Sequence, residues 1–330
     1  MSLPRPPIDP QFVASFEAVC KVIPRPTTRE ILIGLRPIVG ITAEKAVAGL
    51  DLSHTEYSIL APDNTSRRFT LSVFQPNTPA STPRGCVYFI HGGGMISGNQ
   101  FSGVRQPLEW AIDLDLIIVS IDYGLAPEHP GRSIINDCYS GLQYLISKAG
   151  SLGIDPTRVM VGGGSAGGGL AAGIALMCRD KPDGPQVFAQ WLACPMLDDR
   201  NSSVSSAQFV DYGIFNTQAG IVGWECYIGK CGAEDVSYYC APARAKDLSG
   251  LPPAFVSVGA CEPFRDECIE YASRLLAEGV SAELHVWAGV AHGTCSLATQ
   301  AEVSKSEIRT TLEWIKRMFT PGPRVELEFA

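Results

Sequence analysis

Two glycine-rich stretches carry the residues best placed for chemistry. Residues 159–170 read Val-Met-Val-Gly-Gly-Gly-Ser-Ala-Gly-Gly-Gly-Leu, so that Gly163-x-Ser165-x-Gly167 falls between a strand-like run and a helix-compatible segment. That is the pattern of a nucleophile elbow, a tight turn that presents a serine in strained backbone geometry while small neighbours let strand and helix approach. A serine on the first turn of a helix also has backbone N–H groups and the positive end of the helix dipole near any oxyanion that forms. The second stretch, His91-Gly92-Gly93-Gly94, follows the apolar run 86–90. A glycine run can turn its amides toward one point, which acyl transfer through a tetrahedral intermediate requires.

An elbow serine needs a base and an acid from later in the chain, in the order serine, acid, histidine. Of the histidines 54, 91, 129, 285 and 292, only His285 and His292 follow Ser165. His285 lies inside the strand-like run 282–287 and reads as a structural or surface residue, whereas His292 sits in the loop Gly289-Val-Ala-His-Gly293 and is the expected base. For the acid, Gly259-Ala-Cys-Glu262-Pro-Phe-Arg-Asp266-Glu267 follows another strand-like run and offers Glu262 or Asp266. Glu267 reads as a first-turn helix anion. Asp198 and Asp199 are a remoter alternative. Gly162-x-Gly164-x-x-Gly167 also matches a dinucleotide fingerprint, but the nearest acids, Asp180 and Asp183, lie at the end of the helix and not of a following strand.

The elements that must position these groups alternate. Residues 70–74, 86–90, 116–121, 158–162, 187–193, 254–258 and 282–287 read as strands, several of them continuous apolar runs that fit burial on both faces. Between them, 104–113, 133–149, 167–180, 266–278 and 302–318 read as helices, the second with Ser133 as N-cap and Gly150 as its stop. Alternation of this kind implies βαβ units and a mostly parallel sheet. Residues 9–50 read as helical and precede any strand, and 195–245 break the rhythm; both are expected to form a cap over the ends of the sheet.

Five motifs together resemble the hormone-sensitive lipase family of α/β hydrolases: His91-Gly-Gly-Gly94, Tyr123-Gly-Leu-Ala-Pro-Glu-His-Pro130, Gly163-Gly-Ser-Ala-Gly167, Glu262-Pro-Phe-Arg-Asp-Glu267 and His292-Gly293. The resemblance runs from about 85 to 318. It implies one α/β-hydrolase domain over 1–330, with a helical cap from about 1–50 and 195–245, and ester hydrolysis by Ser165, Glu262 and His292. It also implies that the amides of Gly93, Gly94 and Ala166 form the oxyanion hole. Glu262 is preferred over Asp266 because its separation of 30 residues from His292 matches the family spacing. The pattern departs at Gly164, where the family commonly has Asp, and at Glu262, where it has Asp. It departs also at Gly124, where an Arg is usual and a structural ion-pair donor is expected to be lost.

Composition bounds the rest. The 330 residues are 45% hydrophobic and 18% charged, enough for a large core. Net charge is −8 and no basic run exceeds Arg67-Arg68, which argues against nucleic acid as a partner. The longest apolar runs, such as 114–121, fall far short of the roughly 20 residues a bilayer needs, and the N-terminus lacks a signal pattern. Eleven cysteines without a C-x-x-C pair read as reduced thiols, so a cytoplasmic protein is expected. The chemistry calls for no metal and no organic cofactor. The expected partner is a small to medium apolar ester, with Met95, Phe101, Phe209, Tyr212 and Phe215 as candidate pocket residues, and a homodimer is the assembly the resemblance implies. The same site could serve a thioesterase or transacylase, or survive in a silent ligand receptor.

Overall fold

The apolar runs of the chain lie side by side at the centre of one eight-stranded sheet. The structure is a computed structural model that describes residues 3–63 and 66–320. Its strands are β1 (Leu52–Leu60), β2 (Arg68–Pro76), β3 (Arg84–Ile90), β4 (Ile117–Asp122), β5 (Ile154–Gly164), β6 (Ala189–Ala193), β7 (Ala254–Gly259) and β8 (Ala282–Trp287). Its helices are α1 (Val13–Val22), α2 (Arg29–Gly34), α3 (Arg36–Val39), α4 (Ala43–Val47), α5 (Arg105–Leu114), α6 (Arg132–Leu152), α7 (Ala166–Asp180), α8 (Val204–Gln208), α9 (Thr217–Ile228), α10 (Arg265–Ala277), α11 (Thr294–Leu297) and α12 (Glu302–Phe319). Strand order is β1-β2-β4-β3-β5-β6-β7-β8, and every neighbouring pair is parallel except those that β2 makes with β1 and β4.

Alternation along the strands assigns the two faces. Tyr88 and Ile90 of β3 join Val119, Val161 and the apolar sides of α6, α7 and α10, whereas Val87 and Phe89 join Ile118, Met160 and Trp191 under α5 and α12. Both faces are therefore covered, and that is why the central strands are apolar throughout. Each large side chain buried this way contributes roughly 1.5–3 kcal/mol.

Beyond shifts in strand ends, the elements differ from the sequence expectation at β1, at α6 and over 9–50. β1 pairs along its whole length with β2 as an edge strand, and its half-exposed residues carry too little apolar signal to announce it. Helix α6 starts at Arg132 behind Gly131 and has no side-chain cap, so Ser133 does not serve as one. It runs past Gly150 to Leu152, because Gly153, at φ 69°, is the residue that adopts the left-handed terminating conformation and donates to Ala149 and Gly150. The helical stretch expected over 9–50 is four short helices.

Those helices meet the 195–245 segment directly. Arg5 Nε donates to Gln208 O at 2.5 Å, Arg25 donates to Gly213 O, the rings of Phe16 and Tyr212 lie 5.5 Å apart, and α2 packs on α9. Phe16 also shares a small apolar cluster with Phe209, Cys261 and Ala291, at the loops that follow β7 and β8. Residues 1–2 of the expected cap and 321–330 of the expected domain lie outside the described residues. Among the described residues no helix is long and apolar enough to cross a membrane.

Candidate active site

Ser165 is the single residue between β5 and α7, at φ 56° and ψ −124°. A non-glycine residue held there stores about 1–3 kcal/mol of strain, and the surroundings must hold it in place. They do so through the backbone: Ser165 N–H donates to Ala193 O at 2.8 Å, and Ser165 O accepts from Gly169 N–H and Met196 N–H, each at 3.1 Å. The glycines of the motif answer a close approach. A Cβ on Gly167 would lie 2.0 Å from Ile90 O, and one on Gly163 would lie 2.3 Å from the same atom.

His292 stands in the loop after β8, almost buried, with its ring between Phe215 and Phe264 at centroid distances of 5.2 and 5.3 Å. Its Nε2 is 3.0 Å from Ser165 Oγ and its Nδ1 is 2.5 Å from Glu262 Oε2. The other carboxylate oxygen of Glu262 accepts the N–H of Gly259 at 2.9 Å, which anchors the acid to the end of β7. Burial disfavours a charged imidazole at His292, whereas the Glu262 carboxylate hydrogen-bonded to Nδ1 favours one, so the ring can take up a proton that burial alone would resist. Asp266 is not in this line. It accepts the N–H of Ser205 at 2.7 Å and pairs with Arg265.

The His91–Gly94 loop packs against the same serine, since a Cβ on Gly92 would meet Gly164 O at 2.9 Å and Ser165 Cβ at 3.3 Å. Gly93 adopts φ 106°, which few other residues tolerate. The loop is braced from below. His91 Nδ1 donates to Gly92 O at 2.7 Å, its ring stacks on Tyr123 at 4.2 Å, and Tyr123 OH donates to His91 O at 2.9 Å. Burial lowers the His91 pKa to about 4, so the ring is neutral.

The family described as alpha/beta hydrolase fold matches residues 87–296. The chain belongs to this family, in its hormone-sensitive lipase-like branch. Over 218 residues, 66% of this α/β hydrolase and 68% of its relative, it is 34% identical to esterase LipI of Mycobacterium tuberculosis. It is 33% identical over 238 residues to carboxylesterase NlhH of the same organism, covering 70% of this chain and 73% of that one. Among solved structures it resembles a bacterial heroin esterase, with a TM-score of 0.86 and 36% identity over 95% of this chain and 98% of that one.

In this α/β hydrolase a cavity of about 730 Å³ opens on Ser165, with Phe89, Phe101, Trp191, Val258 and Ile308 among its apolar walls. Of the five pocket residues expected from sequence, Phe101 lines the cavity and Phe215 packs on His292. Met95 and Phe209 are fully buried core, and Tyr212 is exposed on Phe16 under Arg5. His285 stacks on Trp287 and contacts Glu283 at 2.9 Å, away from the serine. Asp198 pairs with Arg200, and buried Asp199 with Arg244, so neither serves His292.

Sequence reasoning missed two groups that line the α/β-hydrolase cavity and one brace behind it. Glu267 is more than a first-turn anion: it is buried and accepts the N–H groups of Leu197 and Asp198 at 2.7 and 3.2 Å, tying α10 to the loop after β6. Glu307 of α12 lines the cavity, and burial raises its carboxyl pKa. Cys194 brings a thiol beside His292 and Glu262; its place as the first residue after a strand that ends at the site is the one signal the sequence offered.

Proposed function

We propose that the protein is a serine carboxylic ester hydrolase whose triad is Ser165, His292 and Glu262. The observation that carries the reading is the unbroken hydrogen-bonded line from Ser165 Oγ through the His292 imidazole to Glu262. Ser165 Oγ attacks the acyl carbon while His292 Nε2 takes its proton, and His292 then returns that proton to the departing alkoxide. Glu262 holds the Nδ1–H tautomer and stabilises the imidazolium that forms in between. The amides of Gly93, Gly94 and Ala166 receive the oxyanion, a role supported by the packing of the glycine loop on Ser165 and by the position of Ala166 as first residue of α7. Water, activated by the same histidine, then releases the acid.

The apolar walls of the cavity support a small to medium apolar ester as substrate. The contacts between the N-terminal helices and the 195–245 segment support a cap built from both. Eleven unpaired thiols suit a cytoplasmic location, and the homodimer implied by the family resemblance completes the proposal.

Labelling with a fluorophosphonate probe tests the assignment. One equivalent should attach to Ser165, mapped by peptide mass spectrometry, and the Glu262→Gln protein should label far more slowly. A label on another residue, or none, would overturn the reading.

A further inference from the structure

Cys194 occupies a constrained position that ester hydrolysis does not require. It follows β6 directly, at φ 40°, in the left-handed region that a residue with a side chain rarely enters. Its N–H is fixed to Ser257 O at 2.6 Å, while the preceding carbonyl, Ala193 O, holds the N–H of Ser165. The backbone that positions the serine therefore also fixes the direction of the Cys194 side chain. Its Sγ, one imidazole nitrogen of His292 and one carboxylate oxygen of Glu262 all lie within 4.8 Å of one another. All three residues line the cavity that opens on Ser165, so the cluster has an entry path and room for a water molecule.

The geometry points to a binding site for a thiophilic divalent cation, Zn²⁺ or Cd²⁺, at Cys194, Glu262 and His292, whose occupancy switches the esterase off. The donor set of one sulfur, one nitrogen and one oxygen is that of a zinc site with three protein ligands and an open fourth position; Mg²⁺ and Ca²⁺ require oxygen ligands throughout. Tetrahedral bonds to such ligands place the donor atoms about 3.3–3.7 Å apart, so modest side-chain rotation from the present separations closes the site.

Proton balance explains the inhibition. The cation binds the Cys194 sulfur as a thiolate, releasing its proton to solvent, and Glu262 contributes its carboxylate. A neutral imidazole has one lone pair. If the cation takes it at Nε2, Ser165 loses its acceptor. If the cation binds Nδ1, the ring proton moves to Nε2, which then donates and cannot accept. Either way the serine has no base, and a chelator that removes the cation lets the thiol recover its proton from water.

The inhibitory consequence rests on the triad reading, but binding of the cation does not, and the two are read separately. Cd²⁺ added to the full chain in a non-chelating buffer should produce the ultraviolet charge-transfer absorption of a cadmium–thiolate bond, saturating at one equivalent. Ser165→Ala should give the same titration, whereas Cys194→Ser should lose it. In parallel, Zn²⁺ is titrated against turnover of a short ester, each variant being compared with its own metal-free rate. The unmutated protein should be suppressed at least about tenfold and restored by EDTA. Cys194→Ser and Cys194→Ala should need at least about tenfold more Zn²⁺ for half-inhibition, and Cys295→Ser, which alters a cavity thiol outside the cluster, should not. In the unmutated protein, one equivalent of Cd²⁺ should also protect Cys194 from iodoacetamide, a readout that needs no variant to fold. Undiminished Zn²⁺ sensitivity or Cd²⁺ absorption in the Cys194 variants, or alkylation of Cys194 unaffected by Cd²⁺, would overturn the proposal. Full turnover by Ser165→Ala would overturn the triad reading instead, and the absorption titration would still decide the cation site.

Discussion

Arg67 grips buried Asp137 with both terminal guanidinium nitrogens, Nη1 and Nη2 each lying 2.7 Å from a carboxylate oxygen. The donor expected to be lost with Gly124 is thus supplied from the connection between β1 and β2, and its placement explains the glycine: a Cβ on Gly124 would lie 2.8 Å from Arg67 Nη1. Asp137 also accepts the Gly124 N–H at 3.0 Å, next to the Tyr123 that braces His91. Removing the cation leaves a fully buried carboxylate without its charge partner, so Arg67→Ala should cost about 3–5 kcal/mol of unfolding free energy in urea melts. Gly124→Arg alone should destabilise the protein, and the same change in the Arg67→Ala background should cost less. Additive effects in that double-mutant cycle would refute the replacement.

The choice between two carboxylates is open to direct comparison. Glu262→Gln should lower kcat by about 10⁴-fold, because the amide cannot hold the productive tautomer of His292 or stabilise the imidazolium. Asp266→Asn should act mainly on thermal stability, through Ser205 and Arg265, and leave kcat within about tenfold. The reverse ranking would move the acid to Asp266.

Close approach at the elbow predicts the fate of Gly167. A methyl group there meets the carbonyl oxygens of Ile90 and His91 at 2.0 and 2.6 Å, both of them backbone atoms that cannot step aside. Gly167→Ala should therefore destabilise the fold by more than about 4 kcal/mol, visible as loss of soluble protein or a collapsed melting temperature. A variant that melts like the wild type would show that the strand and helix are farther apart.

His91 gives the pH dependence of stability a definite sign. Its folded pKa of about 4 lies below the unfolded value near 6.5, so the unfolded chain takes up the proton first as pH falls. Stability should decline from pH 6.5 down to about 4, by roughly 3 kcal/mol from this group. The buried Nε2, which has no hydrogen-bond partner among the described residues, gives that proton nowhere to go. His91→Asn, compared with wild type in melts across this range, should show a shallower decline, and equal slopes would exclude His91 as the cause.

Much of the site was legible because its chemistry demands rare local patterns. Ser165, the glycine loop and His292 announced themselves through spacing, and Glu262 emerged once its separation from His292 was compared with that of a known family. What stayed hidden depends on residues far apart in the chain. Nothing local to Arg67 marks it as the partner of Asp137, 70 positions on, and nothing local to Cys194 says that it faces His292. Met95 and Phe209 look like pocket aromatics and apolar groups in sequence, yet packing takes them into the core. Gly150 reads as a helix stop, but only the left-handed φ of Gly153 fixes the true end of α6.

The central claim is that Ser165 is the nucleophile, and the most direct measurement is the rate at which purified Ser165→Ala hydrolyses a short p-nitrophenyl ester. Nucleophilic catalysis by this serine predicts a fall of at least about 10⁴-fold in kcat with the fold intact by circular dichroism. Turnover undiminished from that of the unmutated protein would contradict it.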